Sequence, residues 1–220
     1  MRVTKAIKTE QLRRLENVYH DYTTALEYTN PFTLLVATIL SAQCTDARVN
    51  IITKRIFPRL DSPAKMITLS QQQLEKEIHD CGLYRSKSKH ILEMCRILLN
   101  NYDGQVPEDF DALVSLPGVG RKTANVVRSV CWGYPGIAVD THVFRVSNRL
   151  KLSIGDTPLE VEEGLQKAIP KENWLSAHHW LIWHGRKICK ARKPACEECF
   201  LQDVCPSCLV KVSPWKNNIK

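Results

Sequence analysis

Apolar side chains recur along this chain with a helical period. Between Lys87 and Asn101, Ile91, Leu92, Cys95, Leu98 and Leu99 fall on one helical stripe. Val49, Ile52, Ile56 and Phe57 repeat the pattern over 46–57. The stretch 33–42 is apolar nearly all round, which predicts a helix buried on every side. The punctuation agrees. Ser70 with Gln73 makes a capping box, and Pro63 and Pro158 follow Ser62 and Thr157, a polar cap and then proline in the first turn. Gly82, Gly133 and Pro170 stand where helices are expected to stop. Clean two-residue alternation with hairpin-turn chemistry occurs nowhere, so the expectation is an all-α protein of about ten short helices. Turn residues cluster at Gly133-Tyr134-Pro135-Gly136, the expected boundary between two helical lobes.

Composition narrows the class. The chain has 220 residues, 44% of them hydrophobic and 25% charged, a mix that buries a core and excludes a disordered chain. The most apolar run, 32–40, is far shorter than the ~20 residues a membrane span needs. The first ten residues carry Arg2, Lys5 and Lys8 and no apolar h-region, so no secretory signal and no membrane attachment are expected. The expected location is the cytoplasm, nucleoid-associated in a prokaryote. Against 31 Lys and Arg stand 23 Asp and Glu, a formal +8, which favours a polyanionic partner with nucleic acid first.

Nine cysteines rule out complete internal pairing, and five of them (Cys189, Cys196, Cys199, Cys205, Cys208) crowd into the last 32 positions. That crowding suits a metal site more than a secreted disulfide framework. Cys189-x6-Cys196-x2-Cys199-x5-Cys205 offers four thiolates on short loops, the donor set of an iron–sulfur cluster or of zinc. Cys196-x2-Cys199 and Cys205-x2-Cys208 could equally be read as two zinc-binding pairs. Cys44, Cys81, Cys95 and Cys131 fall on or beside apolar helices as core thiols. His178, His179 and His184 lack a carboxylate that would complete a zinc site, and Trp180, Trp183 and His184 are expected to pack against the cluster.

Between two expected helices, 109–115 and 122–132, lies Leu116-Pro117-Gly118-Val119-Gly120. Its glycines allow a tight turn and bare amides before a helix N-terminus, a place for a phosphate read without regard to base; an ordinary turn between helices fits the same residues. The segment 116–124, Leu116-Pro117-Gly118-Val119-Gly120-Arg121-Lys122-Thr123-Ala124, resembles the helix-hairpin-helix motif of the endonuclease III family of DNA glycosylases. The similarity extends to Ser41-Ala42-Gln43-Cys44-Thr45-Asp46, Gly82-Leu83-Tyr84-Arg85-Ser86-Lys87, Val139-Asp140-Thr141-His142-Val143-Phe144-Arg145-Val146 and 178–186.

The resemblance implies a fold, a cofactor and a chemistry. The fold is two helical lobes, 22–133 with the hairpin (109–132) and 1–21 plus 134–220 with the cluster loop (189–205), and a DNA-binding cleft between them. The spacing of Cys189, Cys196, Cys199 and Cys205 matches the family's [4Fe–4S] loop, leaving Cys208 over; a −2 cluster with its four thiolates would lower the formal charge of +8 to +6. The implied activity is base excision: a DNA N-glycosylase and abasic-site lyase on oxidised pyrimidines in double-stranded DNA, working as a monomer. A monofunctional glycosylase and a non-catalytic iron–sulfur DNA-binding module are the rivals.

Each implied role sits beside a plainer one. Lys122 stands in a first turn where the helix dipole disfavours a charged amine, and a neutral lysine amine forms Schiff bases; a lone lysine there is otherwise a solvated charge. Asp140 reads from its neighbours as a helix N-cap, whereas the resemblance makes it catalytic. Gln43 and Leu83 would fill the space left by an extruded nucleotide, against surface-amide and core readings. Gly118, Val119 and Gly120 would offer amides to a phosphate. Lys190, Arg192 and Lys193, in a run of five basic and no acidic residues over 186–193, would meet phosphates from a loop the cluster holds.

Overall fold

The computed structural model describes residues 3–210 and 213. Among them it places eleven α-helices, three short 3₁₀ turns and no strand, divided into two compact units. Residues 24–134 form one unit; the described residues of 1–23 and 135–220 form the other.

The first unit holds α2 (Pro31–Ser41), α3 (Asp46–Ile56), α4 (Pro63–Met66), α5 (Gln71–Ile78), α6 (Tyr84–Asn101), α7 (Phe110–Ser115) and α8 (Arg121–Trp132). Phe32 to Leu40 are all buried, so α2 is the central helix its composition predicts, packed by α3, α6 and α8. Leu34, Leu35, Ile52, Ile91, Met94 and Leu98 lie in its core without exposure, each contributing about 1.5–3 kcal/mol by leaving water. Asn30 caps α2 reciprocally with Thr33, and Ser70 caps α5 with Gln73. Gly133 closes α8 at φ 69°, where a side chain would be strained.

The second unit holds α1 (Lys5–Tyr19), α9 (Thr141–Leu150), α10 (Pro158–Ala168) and α11 (Trp174–Lys187), followed by 3₁₀ turns at Cys196–Glu198 and Gln202–Val204. Here α11 packs on α1 and α9 around Leu15, Val143, Val146, Leu165 and Leu181. Gly185 is demanded by this packing, because a Cβ there would lie 2.9 Å from that of His142. No helix among the described residues is long and apolar enough to cross a membrane.

Candidate nucleic-acid site and metal centre

The hairpin is built by backbone. Pro117 follows α7, Gly118 turns the chain at φ 79°, and Gly120 is the N-cap of α8. A Cβ on Gly118 would press within 3.1 Å of His90 on α6, so the position needs glycine for space as well as for φ. With glycine as cap, α8 has no side-chain cap hydrogen bond. Val119 departs from its expected role. Its side chain is buried in the core and its N–H donates to Leu116 O (3.1 Å), so Gly118 and Gly120 are the open positions of the turn.

Lys122 occupies the second position of α8 with its side chain exposed. The hairpin therefore presents the amine but does not by itself strip it of water. Arg121 beside it lies over the Phe110 ring, 5.0 Å from the centroid, which fixes α7 against the start of α8.

Two loops of the same unit come together, between α2 and α3 and between α5 and α6. Gln43 (φ 54°) and Leu83 (φ 60°) both hold left-handed backbone, unusual for non-glycine residues. Leu83 is 57% exposed, which excludes the core reading. Gly82 is not a helix stop as expected, since α5 already ends at Ile78. Its missing side chain instead admits the carbonyl of Gln43, 3.2 Å from where a Cβ would stand. Gln43, exposed, thus stands beside the Leu83 loop.

In the other unit Asp140 is the N-cap of α9. Its Oδ1 accepts from the amides of both His142 and Val143 at 2.8 Å, leaving Oδ2 clear of the cap. The cap reading is therefore right and does not consume the carboxylate. Desolvation first, then Arg145 and Arg186, holds the His142 imidazole below its ordinary value against the opposing pull of Asp140. Arg145, which can only donate, bonds its Nδ1 at 3.1 Å, so Nδ1 is an acceptor on a neutral ring.

Cys189, Cys196, Cys199 and Cys205 line one cavity of about 320 Å³, and Cys208 lines it too. Among the described residues no three His, Cys, Asp or Glu side chains gather tightly enough for a single metal ion. Thiolates around one zinc, at ~2.3 Å each, would crowd within about 4 Å of one another. Cysteines lining a cavity of this size fit a polynuclear group held by thiolates, such as an iron–sulfur cluster. His184, pushed down to about 4 by burial, is neutral; Tyr19, raised to about 12 by burial, keeps its proton and faces His184 Nδ1 (3.4 Å). His184 Nε2 lies 3.8 Å from the Cys199 sulfur. Trp183 lies elsewhere, its ring 4.9 Å from that of Tyr22 and its indole N–H on Thr23 O. Trp180 is buried in the core.

The loop around the cavity is tied down by side chains that sequence reasoning passed over. Arg149 donates to Lys190 O (2.7 Å), Ala191 O (3.0 Å) and the Cys189 sulfur (3.4 Å). Arg145 donates to Cys189 O (3.1 Å) and Gly185 O (3.0 Å). From α1, buried Gln11 donates to Val204 O (2.7 Å), and Arg14 to Phe200 O (2.9 Å) and to both Asp203 oxygens. Lys190, Arg192 and Lys193 stand exposed on the segment that Arg149 holds, with Lys193 at φ 50°.

One unit thus carries a helix-hairpin-helix with a glycine cap and an exposed lysine, the other a cavity lined by cysteines. Comparison with known proteins is specific. Residues 36–171 match the HhH-GPD superfamily of base excision DNA repair proteins, and residues 189–205 match the iron–sulfur binding domain of endonuclease III. Endonuclease III of Rickettsia conorii is 55% identical over 83% of this chain and 87% of its own. That of Escherichia coli K12 is 48% identical over 92% and 96%. A solved structure of a trapped endonuclease III–DNA covalent intermediate is 47% identical, with TM-score 0.90 over 94% of this chain and 97% of that one. The chain belongs to the endonuclease III family of the HhH-GPD superfamily, base-excision-repair DNA glycosylases with abasic-site lyase activity that carry a [4Fe–4S] cluster.

Proposed function

We propose that this chain removes oxidised pyrimidines from double-stranded DNA and cleaves the resulting abasic site through a Schiff base at Lys122. The observation that carries the reading is the placement of Lys122, an exposed amine in the first turn of α8 behind a glycine cap. Support for covalent chemistry comes from the solved relative trapped as a DNA adduct. The amide groups of Gly118 and Gly120 take a backbone phosphate, and the flanking sugar is thereby brought to the amine. Val119 contributes to that turn by packing, its amide being engaged.

In the reaction, Lys122 Nζ bonds to C1′ while the glycosidic bond breaks and the base leaves with its electron pair and takes up a proton. The sugar ring opens to an imine. Loss of a proton from C2′ and cleavage of the C3′–O bond then cut the strand. By the family resemblance, the Asp140 carboxylate stabilises the positive charge that develops at the sugar as the base departs. DNA supplies the exclusion of water that the free hairpin lacks. Gln43 and Leu83, held out from the surface in strained backbone, fill the space of the extruded nucleotide. Lys190, Arg192 and Lys193 meet phosphates.

Cys189, Cys196, Cys199 and Cys205 hold the cluster, whose role here is to close the loop that carries those cations. The protein acts as a cytoplasmic monomer on DNA with damaged bases or abasic sites. The test is reductive trapping: with abasic duplex and borohydride, a covalent protein–DNA adduct forms and Lys122→Ala, folded and brown, forms none. An adduct of wild-type yield in that variant would exclude Lys122, and no adduct with the native protein would exclude the lyase.

A further inference from the structure

Lys87, on the first turns of α6, is 4% exposed and its three N–H donors are all spent. They go to Leu40 O (2.8 Å), Ala42 O (2.6 Å) and the Cys81 sulfur (3.0 Å). The Cys81 thiol is pushed up, first by its burial and against the pull of the ammonium, so it stays protonated. Its S–H donates to Leu40 O at 3.1 Å. The ammonium therefore sits among neutral acceptors, a costly place for a charge.

Two of those acceptors, Leu40 O and Ala42 O, are the C-terminus of α2. This helix has no basic residue in its own last turn. Its terminal carbonyls are each answered: Thr38 O by the Ser41 hydroxyl (2.8 Å), Ile39 O by the Ala42 amide, Leu40 O by Lys87 and Cys81, Ser41 O by the Cys44 amide (3.1 Å). Lys87 supplies the cation that the negative end of α2 favours. It does so by gripping the residue before Gln43 and the residue two before Leu83. Close approach of Gly82 to Gln43 O joins the same two loops.

We propose that Lys87 is a positioning residue for base extrusion, its buried ammonium locking the Gln43 and Leu83 loops into one two-pronged wedge. The inference rests on the wedge role given above to Gln43 and Leu83. A wedge matters only in a duplex, where a void must be filled, and single-stranded DNA needs none. A lysine serving stability alone would be replaceable by an apolar side chain of like volume.

The experiment measures kcat/KM for cleavage of one abasic strand, free and annealed, with the intact cluster-bearing protein and the variants Lys87→Met and Lys87→Gln. The expected result is a fall on duplex of about tenfold to a hundredfold, the size of effect that small misplacements produce, while cleavage of the free strand changes less than about twofold. Parallel loss on both substrates, no loss on either, or failure of both variants to fold would each overturn the proposal. Gln43→Ala and Leu83→Ala, run alongside, separate the premises. A duplex-selective loss there with none in the Lys87 variants removes only Lys87. Its absence in those two removes the wedge itself.

Discussion

Asp140 carries two duties on one carboxylate, and substitution can divide them. Asp140→Ala deletes the acceptor of two 2.8 Å amide bonds at the start of α9, a loss of about 1–2 kcal/mol. Asp140→Asn keeps an oxygen at Oδ1 that accepts from the same amides, and forgoes only the charge at the helix N-terminus, about 0.3–1 kcal/mol. In a chain of this length each kcal/mol moves the melting point by about 2–4 °C. Asn should thus melt within a few degrees of the native protein and Ala several degrees lower, both well folded at 25 °C. Catalysis should sort differently. Neither variant has an anion at Oδ2, and loss of one preorganised charge-stabilising group costs about 10²–10³ in rate. Single-turnover base release at 25 °C, beside thermal melts of the same samples, reads both quantities. Strand cleavage by Asp140→Asn within a fewfold of native, or an Asn melting point as low as that of Ala, would refute this division.

Two further outcomes follow from burial and from charge. His179 is held down to about 4 by desolvation and, less, by Arg186, from an ordinary 6.5. Its neutral form is the folded form, so its contribution is complete above pH 6.5 and is lost as pH falls toward 4. The linkage amounts to about 2 kcal/mol between pH 7.5 and 5. Urea unfolding at those two pH values should show that loss in the native chain and a correspondingly smaller one in His179→Gln; an unchanged difference would clear His179. Arg192→Ala should reduce the slope of log affinity for undamaged duplex against log salt by about 0.9, one phosphate contact, whereas Arg149→Met, which keeps every exposed cation but frees the loop beneath them, should also loosen binding. A salt slope unaltered in Arg192→Ala would take that side chain out of the interface.

What the sequence made legible was local. A cap, its helix and an apolar stripe are neighbours in the chain, so Asp140, Ser70 and Thr157 announce helix starts and Gly133 a stop, as the structure has them. Gly82 shows the limit of such reasoning: glycine after an apolar helix suggests a stop, but its use here is the approach of a carbonyl from a loop some forty residues earlier. Val119 misleads in the same way, since a residue between two glycines can still be the one that enters the core. The anchoring roles of Lys87, Arg145, Arg149 and Gln11 left no trace. Their acceptors lie 47, 44, 42 and 193 residues away at the farthest tie to a functional loop. Periodicity tells which face of a helix is apolar, and is blind to which distant carbonyl that face will meet.

Those four side chains nonetheless follow one rule, and it bears on how the protein can vary. The Gln43 loop and the loop around the cysteine cavity are each fastened by polar side chains from helices to main-chain carbonyls: Lys87 to the Gln43 loop, Arg145 and Arg149 to 189–191, Gln11 to Val204. Apolar packing could not do this, because a loop that meets DNA must keep its side chains in water. The directional bonds fix the backbone from behind and leave the front free. A carbonyl is also present whatever residue carries it. The exposed residues of these loops can therefore be exchanged for contact or charge without disturbing the ties, whereas the helix side chains and the glycines at close approach cannot. The parts of the site most tolerant of substitution are those that touch DNA through charge alone, and the least tolerant lie buried one layer beneath.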